Sequence, residues 1–310
     1  MYDQGRPSPF GQAQRKEYEE NGRFYHSWRK GKYMFPCDEE EKDRLDIFHK
    51  FFCVARRGEL HTAPLLPDQA PHRILDLGCG TGIWAIDMAE KYYDNAAHVK
   101  GLDLTLMQPA EIPRNIEFAQ MDVETPWQGM DLDSLDLIHM RTLKGSIQSW
   151  PQLYAQIFRH LKPYYGHIEQ VEIDWTPRCE DGTLPERSIT RLWVDELLGA
   201  MDDHGRSMRV DSQETINQLL SAGFVDVKEE VIKVPFSGWP TEKTVRDIGR
   251  WFNLGFTNGL MGLTLAPLTR MKDRTKAEVA ELVNKVKMEA CSRNVHAFCL
   301  LYVWTARRPQ

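Results

Sequence analysis

Leu75-Asp76-Leu77-Gly78-Cys79-Gly80-Thr81-Gly82 is the stretch whose reading decides the fold. Before it, His72 to Leu77 is a short apolar run of strand character. After it, Ile83 to Lys91 has the apolar spacing of a helix. Glycines between a strand and a helix remove Cβ atoms where a ligand lies against the backbone, at the strand's carboxyl end. The spacing is not GxGxxG, and no lysine follows Gly82 as in GxxxxGK[ST], so phosphate cradling is not expected.

Working outward, Val99 to Leu104, Ile116 to Asp122, Leu135 to Met140 and His167 to Ile173 read as further strands, with a helix at Trp150 to Leu161. Strands alternating with helices predict an α/β, Rossmann-like fold: a central, mostly parallel sheet with an antiparallel last strand. Beyond Asp174 the pattern predicts helices at Ser188–Met201, Ser212–Ala222, Thr241–Leu260 and Lys276–Cys291. Strands are expected at Val225–Val234 and Val295–Ala306. The core is placed at 72–310, with helical lid insertions at about 178–222 and 236–292. Upstream, Asp38 caps an amphipathic helix reaching Ala55, and acids fill its first turn. With the loop of Pro64, Pro67 and Pro71 it forms an N-terminal helical cap over 21–71. Residues 1–20 read as a disordered lead-in; Met1 to Arg15, polar and rich in Gly, Pro and Gln, lack the apolar stretch of a secretory signal.

Composition narrows the function classes. The chain has 310 residues, 42% of them hydrophobic, enough for one enlarged domain with a substantial core. A net charge of −6 disfavours direct nucleic-acid binding, and the basic cluster Arg270 to Lys276 reads as a solvated helix start. No apolar run approaches the roughly 20 residues that cross a bilayer. The six cysteines (Cys37, Cys53, Cys79, Cys179, Cys291, Cys299) form no CxxC pair, so metal is not expected and a reducing, intracellular setting is.

Three acids fall where adenosine needs them. Asp103 ends the second strand about 20 residues past the glycine turn, placed to accept from the ribose hydroxyls. Asp122 ends the third, within reach of an adenine amino group, and Asp76 precedes the glycines, where it would attract a cationic amine. Any one of them reads as a loop charge; together, at successive strand ends, they favour adenosine. Leu104 and Val123 flank this expected site, with Gly78, Cys79, Gly80 and Gly82 under it.

The segment Leu75 to Gly82 resembles motif I of class I S-adenosylmethionine methyltransferases, and Leu161-Lys162-Pro163-Tyr164-Tyr165-Gly166 resembles the LKPGG turn before their fifth strand. Tyr33 to Asp46, His49, Gly82 to Ile86, Glu169 to Asp174 and Leu265-Ala266-Pro267-Leu268 together resemble the LaeA-type family, fungal velvet-complex methyltransferases that regulate secondary metabolism. The resemblance runs from Gly22 to Pro309. It implies S-adenosylmethionine as cofactor, velvet-domain proteins as partners and a nuclear, possibly also cytoplasmic, home. Relatives acting on small molecules in metabolite pathways, and a cofactor-binding scaffold without turnover, remain alternatives.

Methyl transfer from a sulfonium needs orientation and exclusion of water, and no nucleophilic residue. A base helps only where the acceptor holds a proton. His139, near the end of the fourth strand, is the candidate base, with packing inside the sheet as its alternative. Met140 and Arg141 are expected to line the donor pocket, although Arg141 also reads as a structural ion-pair partner. Tyr33, with Tyr25 and Phe35, is placed to close over the donor's methionine portion or simply to pack against the core. Arg44 reads as half of a charge pair on the surface of the cap helix.

Overall fold

The computed structural model describes residues 17–310. The lead-in expected over 1–20 lies outside the described residues up to 16. From Glu17 the chain is a strand, β1 (Glu17–Glu20), paired antiparallel with β2 (Arg23–His26). This hairpin corrects the purely helical cap. It turns at Asn21-Gly22, both with positive φ (55° and 81°), the combination that a tight two-residue hairpin loop requires.

Helix α1 (Glu39–Ala55) starts at Asp38, whose side chain accepts from the backbone N–H of Glu41. The core then runs β3 (Arg73–Leu77), α2 (Ile83–Lys91), β4 (His98–Asp103), β5 (Ile116–Gln120), β6 (Leu137–Arg141), α3 (Trp150–His160) and β7 (His167–Arg178). There follow α4 (Ile189–Asp203), α5 (Ser212–Ser221), β8 (Val225–Pro235), α6 (Lys243–Met271), α7 (Lys276–Cys291) and β9 (Phe298–Arg307). The seven-stranded sheet has the order β5-β4-β3-β6-β7-β9-β8. Strands β5 to β7 pair in parallel, and β9 runs antiparallel to both its neighbours. The chain leaves β3 in opposite directions along the sheet, to β4 on one side and β6 on the other. Such a reversal opens a crevice at the strands' carboxyl ends.

Period-two alternation sorts the side chains of the central strands. Ile74 and Leu137 pack with Trp84 and Met88 of α2, whereas Leu75, Leu77, Ile138 and Met140 pack with Leu153, Tyr154 and Ile157 of α3. A third cluster joins α1, α4, α6 and α7 to the far strands through Phe48, Phe52, Trp193, Phe252, Phe256 and Ile173. Helix α6 extends well past the expected end at Leu260. Leu260, Leu263, Leu265, Ala266 and Leu268 are all buried, and this packing carries the helix through Pro267 despite its missing N–H. On its other side α6 meets α1 closely: a Cβ on Gly259 would stand 1.8 Å from Arg44 Cδ. Arg44 is therefore buried and paired with Glu41 at 2.6 Å, which corrects its reading as a surface charge. Strand β7 also outruns its expected end at Ile173, continuing past an irregularity between Asp174 and Arg178. Among the described residues no helix is long and apolar enough to cross a membrane.

Candidate functional site

The crevice sits where the topology puts it, and α1 and the segment before it roof it over. Its floor begins at the glycine turn. Gly78 and Cys79 donate their backbone N–H groups to Leu102 C=O at 2.8 and 3.1 Å, which folds the turn back onto β4. The three glycines do different work. A Cβ on Gly78 (φ 66°) would stand 2.4 Å from Leu143 Cδ2, and one on Gly82 (φ 78°) 2.4 Å from Phe118 Cζ. Those two positions are closed by packing. At Gly80 (φ 56°) only the Leu45 side chain is near, at 3.2 Å, and the residue lies in the cavity wall. Thr81 Oγ1 donates to Asp46 Oδ1 at 2.7 Å, fastening α1 across the turn.

Asp103 stands at the end of β4. Its Oδ2 accepts from Gly80 N–H at 2.8 Å and its Oδ1 from Thr105 N–H at 2.9 Å. Burial raises its pKa, and those backbone donors oppose the rise. A carboxylate has about four acceptor sites, so lone pairs remain for two hydroxyls. Leu104, Asp122 and Val123 continue the same wall, and Tyr33 with Phe35 faces them from the roof. The Tyr33 and Phe35 rings meet edge to face with centroids 5.3 Å apart, and burial raises the Tyr33 pKa.

Asp122 differs from its expected role. It lies two residues beyond β5, and Lys32 Nζ from the roof grips both its oxygens at 2.5 Å. Lys32 also meets Glu124 at 2.9 Å, and Arg206 meets Glu124 at 2.8 Å. Burial raises the Glu124 pKa, but Arg206 and Lys32 outweigh it and bring it to about 2. These four side chains latch the roof to the sheet, with the Asp122 carboxylate held in an ion pair.

His139 is not brought to the cavity, which corrects its reading as a base. Alternation turns it with Asp76 to the α2 face, away from the crevice. There its Nδ1 lies 2.8 Å from Asp76 Oδ1, and its ring stacks on Trp84 at 3.6 Å. It is 1% exposed, Nε2 has no hydrogen-bond partner among the described residues, and burial with nearby Arg141 depresses its pKa far below the usual value. Asp76 is likewise held inside, where burial lifts its pKa to about 8 against the pull of Arg141. Cys79 packs towards Gly101 and Gly82 against Phe118, while Met140 is fully buried on the α3 side. Of the residues predicted from sequence, Tyr33, Gly78, Gly80, Asp103, Leu104, Asp122, Val123 and Arg141 line the cavity; Asp76, Cys79, Gly82, Met140 and His139 do not.

Arg141 closes β6 with its guanidinium 4.4 Å over the Phe52 ring. Its NH1 and NH2 donate weakly to His49 Nδ1, at 3.5 and 3.4 Å, while His49 Nε2 faces Asp87 Oδ2 at 2.9 Å. Burial lowers the Arg141 pKa to about 10. Sequence reasoning missed Glu172 of β7, which also lines the cavity and is 1% exposed. Burial pushes its pKa to about 7, against Lys144. Its signal was an acid in a buried strand. Its neighbours Glu169 and Asp174 carry the same signal, and they take up Arg56 and Arg178 instead.

A mostly parallel sheet with an antiparallel β9, bare glycine backbone at its switch point and an acid at the next strand end together fit a class I methyltransferase. A "Methyltransferase domain" family model matches residues 49–229. The chain is 51% identical to "Secondary metabolism regulator LAE1" of Cochliobolus heterostrophus, covering 100% of both proteins. It is 44% identical to "Secondary metabolism regulator laeA" of Fusarium oxysporum f. sp. lycopersici, over 94% of this chain and 92% of that one. "Protein-methionine methyltransferase laeA" of Emericella nidulans is 43% identical, over 94% of this chain and 76% of its own. The fold is shared with a Haemonchus contortus phosphoethanolamine N-methyltransferase at a TM-score of 0.50 and 16% identity, over 86% of this chain and 52% of that one. The chain belongs to the LaeA-type family of fungal secondary metabolism regulators, and it is a methyltransferase. The methyl donor of this class is S-adenosylmethionine. The cavity suits that donor, with bare backbone at Gly80, an acid at Asp103 and a buried cation at Arg141.

Proposed function

We propose that this methyltransferase acts on a methionine sulfur, its own Met208 included. The observation that carries the reading is Met208 in the cavity wall, 4% exposed, with no histidine among the described residues that line the cavity. Three methionines line the cavity. Met107 and Met121 follow β4 and β5, at the nucleoside end. Met208 comes from the loop between α4 and α5, and that loop is fixed by Gly145 N–H donating to Ser207 C=O at 2.9 Å. Gly145 lies just after β6, so Met208 stands at the acceptor end. A Cβ on Gly145 would stand 2.6 Å from Met208 Cγ, so the side chain is closely packed there.

When bound, S-adenosylmethionine supplies an electrophilic methyl group. A thioether has no proton to lose, so the chain needs no general base at this point, in keeping with the placement of His139. Phe48, Trp175 and Leu263 keep water from the acceptor end, while Gly80, Asp103 and Arg141 orient the donor. The relative named for protein-methionine methylation supports the same acceptor. Incubation of the purified chain with methyl-labelled donor should add one methyl group to the peptide carrying Met208. Met208→Leu should remove that label and leave donor binding intact. Label on an oxygen, a nitrogen or a small molecule would overturn the acceptor.

We further propose that the protein works in the nucleus with velvet-domain proteins. Its family membership and the regulatory names of its relatives support this. Copurification from native nuclear extract should recover a velvet-domain protein; recovery of the chain alone, from cytoplasm, would refute it.

A further inference from the structure

One buried carboxyl at the acceptor end has no ion-pair partner among the described residues. Glu172 Oε1 accepts from Leu143 N–H at 3.0 Å and from Gln170 Nε2 at 3.3 Å, and Oε2 accepts from Lys144 N–H at 3.2 Å. Tyr154 Oη supports this arrangement by donating to Gln170 Oε1 at 2.6 Å. Among the described residues no cationic nitrogen lies within 4 Å of the carboxylate. The nearest candidate, Lys144, instead lays its Nζ over the Trp150 ring at 4.7 Å. Ile173, Trp175 and Met208 share the cavity wall with Glu172. A buried carboxylate held only by neutral donors is costly to ionise, and a cation placed opposite it would be strongly stabilised.

We infer that Glu172 is the specificity-determining residue for the acceptor: its carboxylate favours an acceptor atom that becomes positively charged on methylation. The inference rests on the methionine reading above and deepens it. In the transfer, the acceptor sulfur's lone pair forms the new S–CH3 bond as the donor's S–CH3 bond breaks, with that electron pair left on the donor sulfur. One positive charge thereby moves from donor to acceptor, and no proton is released. A hydroxyl acceptor ends neutral after losing its proton, and gains nothing lasting from a fixed carboxylate. Interactions present only as charge develops raise the rate and leave donor affinity alone.

Ionisation of Glu172 then sets the pH dependence. The charged and titratable groups facing it are Lys144 from the loop after β6 and Tyr154 from α3, with Glu214 of α5 acting on both. Burial holds the carboxyl protonated up to about pH 7, so the carboxylate form, and with it the rate, increases as pH rises through that value.

The test compares wild type, Glu172→Gln and Glu172→Asp in single-turnover transfer of labelled methyl from S-adenosylmethionine to the protein's own methionine. Glu172→Gln should slow transfer by about 100-fold, in the range known for lost transition-state electrostatics, with a flat pH profile and unchanged donor affinity by calorimetry. Its thermal midpoint at pH 8 should hold or rise, because the amide replaces a buried charge that lacks a counter-ion. A merely structural acid would give the opposite result. Glu172→Asp should keep a rising pH profile; it decides the matter should the glutamine variant fail to fold. Wild-type rate and pH profile in Glu172→Gln would overturn the inference while leaving a methionine acceptor standing. Methyl found on oxygen in the wild type would overturn the acceptor reading itself, and this inference with it.

Discussion

Titrated with S-adenosylmethionine, the Gly80→Asp protein should give no heat of binding while keeping a cooperative unfolding transition. Gly80 has φ 56°, and its missing Cβ faces the cavity with only Leu45 Cδ1 near, at 3.2 Å. Aspartate tolerates that left-handed conformation better than most residues, and a strained φ costs about 1–3 kcal/mol. A domain stable by roughly 5–15 kcal/mol survives such a loss. The donor does not. The new carboxylate occupies the space above the turn and sets a second negative charge beside Asp103, whose Oδ2 is already bonded to Gly80 N–H at 2.8 Å. Near-wild-type heat from the folded variant would mean that the nucleoside lies elsewhere. Gly78 and Gly82 make poor test positions, because their substitution collides with Leu143 and Phe118 and would report on folding.

That division among the glycines marks how far the sequence could be read. Strand–turn–helix order around Gly78 to Gly82, and acids at later strand ends, are local features, so Asp103 and the parallel core were legible from spacing alone. The Asn21-Gly22 turn was equally local and was overlooked within an assumed helical cap. His139 was misplaced for a different reason. Its strand and its position near the carboxyl end were read correctly, but one residue of register decides which face receives it. Asp76 and Trp84 on the α2 side settle that choice. The position of Asp122 was legible too, but its ion pair was not, and Glu172 was missed, because such states depend on what the rest of the fold brings alongside. Lys32 reaches Asp122 across 90 positions, and Glu172 is distinguished by a cation that is not there. Absence of a partner leaves no trace in a sequence.

The missing partner of Arg141 leads to the second large effect: Arg141→Ala should weaken S-adenosylmethionine binding by about 100-fold, roughly 3 kcal/mol. Arg141 lines the cavity, and among the described residues no carboxylate lies within 4 Å of its guanidinium. Its contacts are His49 Nδ1 at 3.4 Å and the face of Phe52 at 4.4 Å. Burial pulls its pKa to about 10, a sign that the cation lacks full compensation. The donor's carboxylate is the anion that would complete it, and a fork of two N–H donors suits that group. Arg141→Lys should recover only part of the loss, because a point charge cannot reproduce the fork. The discriminating ligand is 5′-methylthioadenosine, which keeps the nucleoside and lacks the amino-acid end. Wild type and Arg141→Ala should bind it equally well. Equal losses for both ligands would mean that Arg141 merely shapes the cavity, and unchanged binding of both would assign it to the packing of α1 through His49 and Phe52.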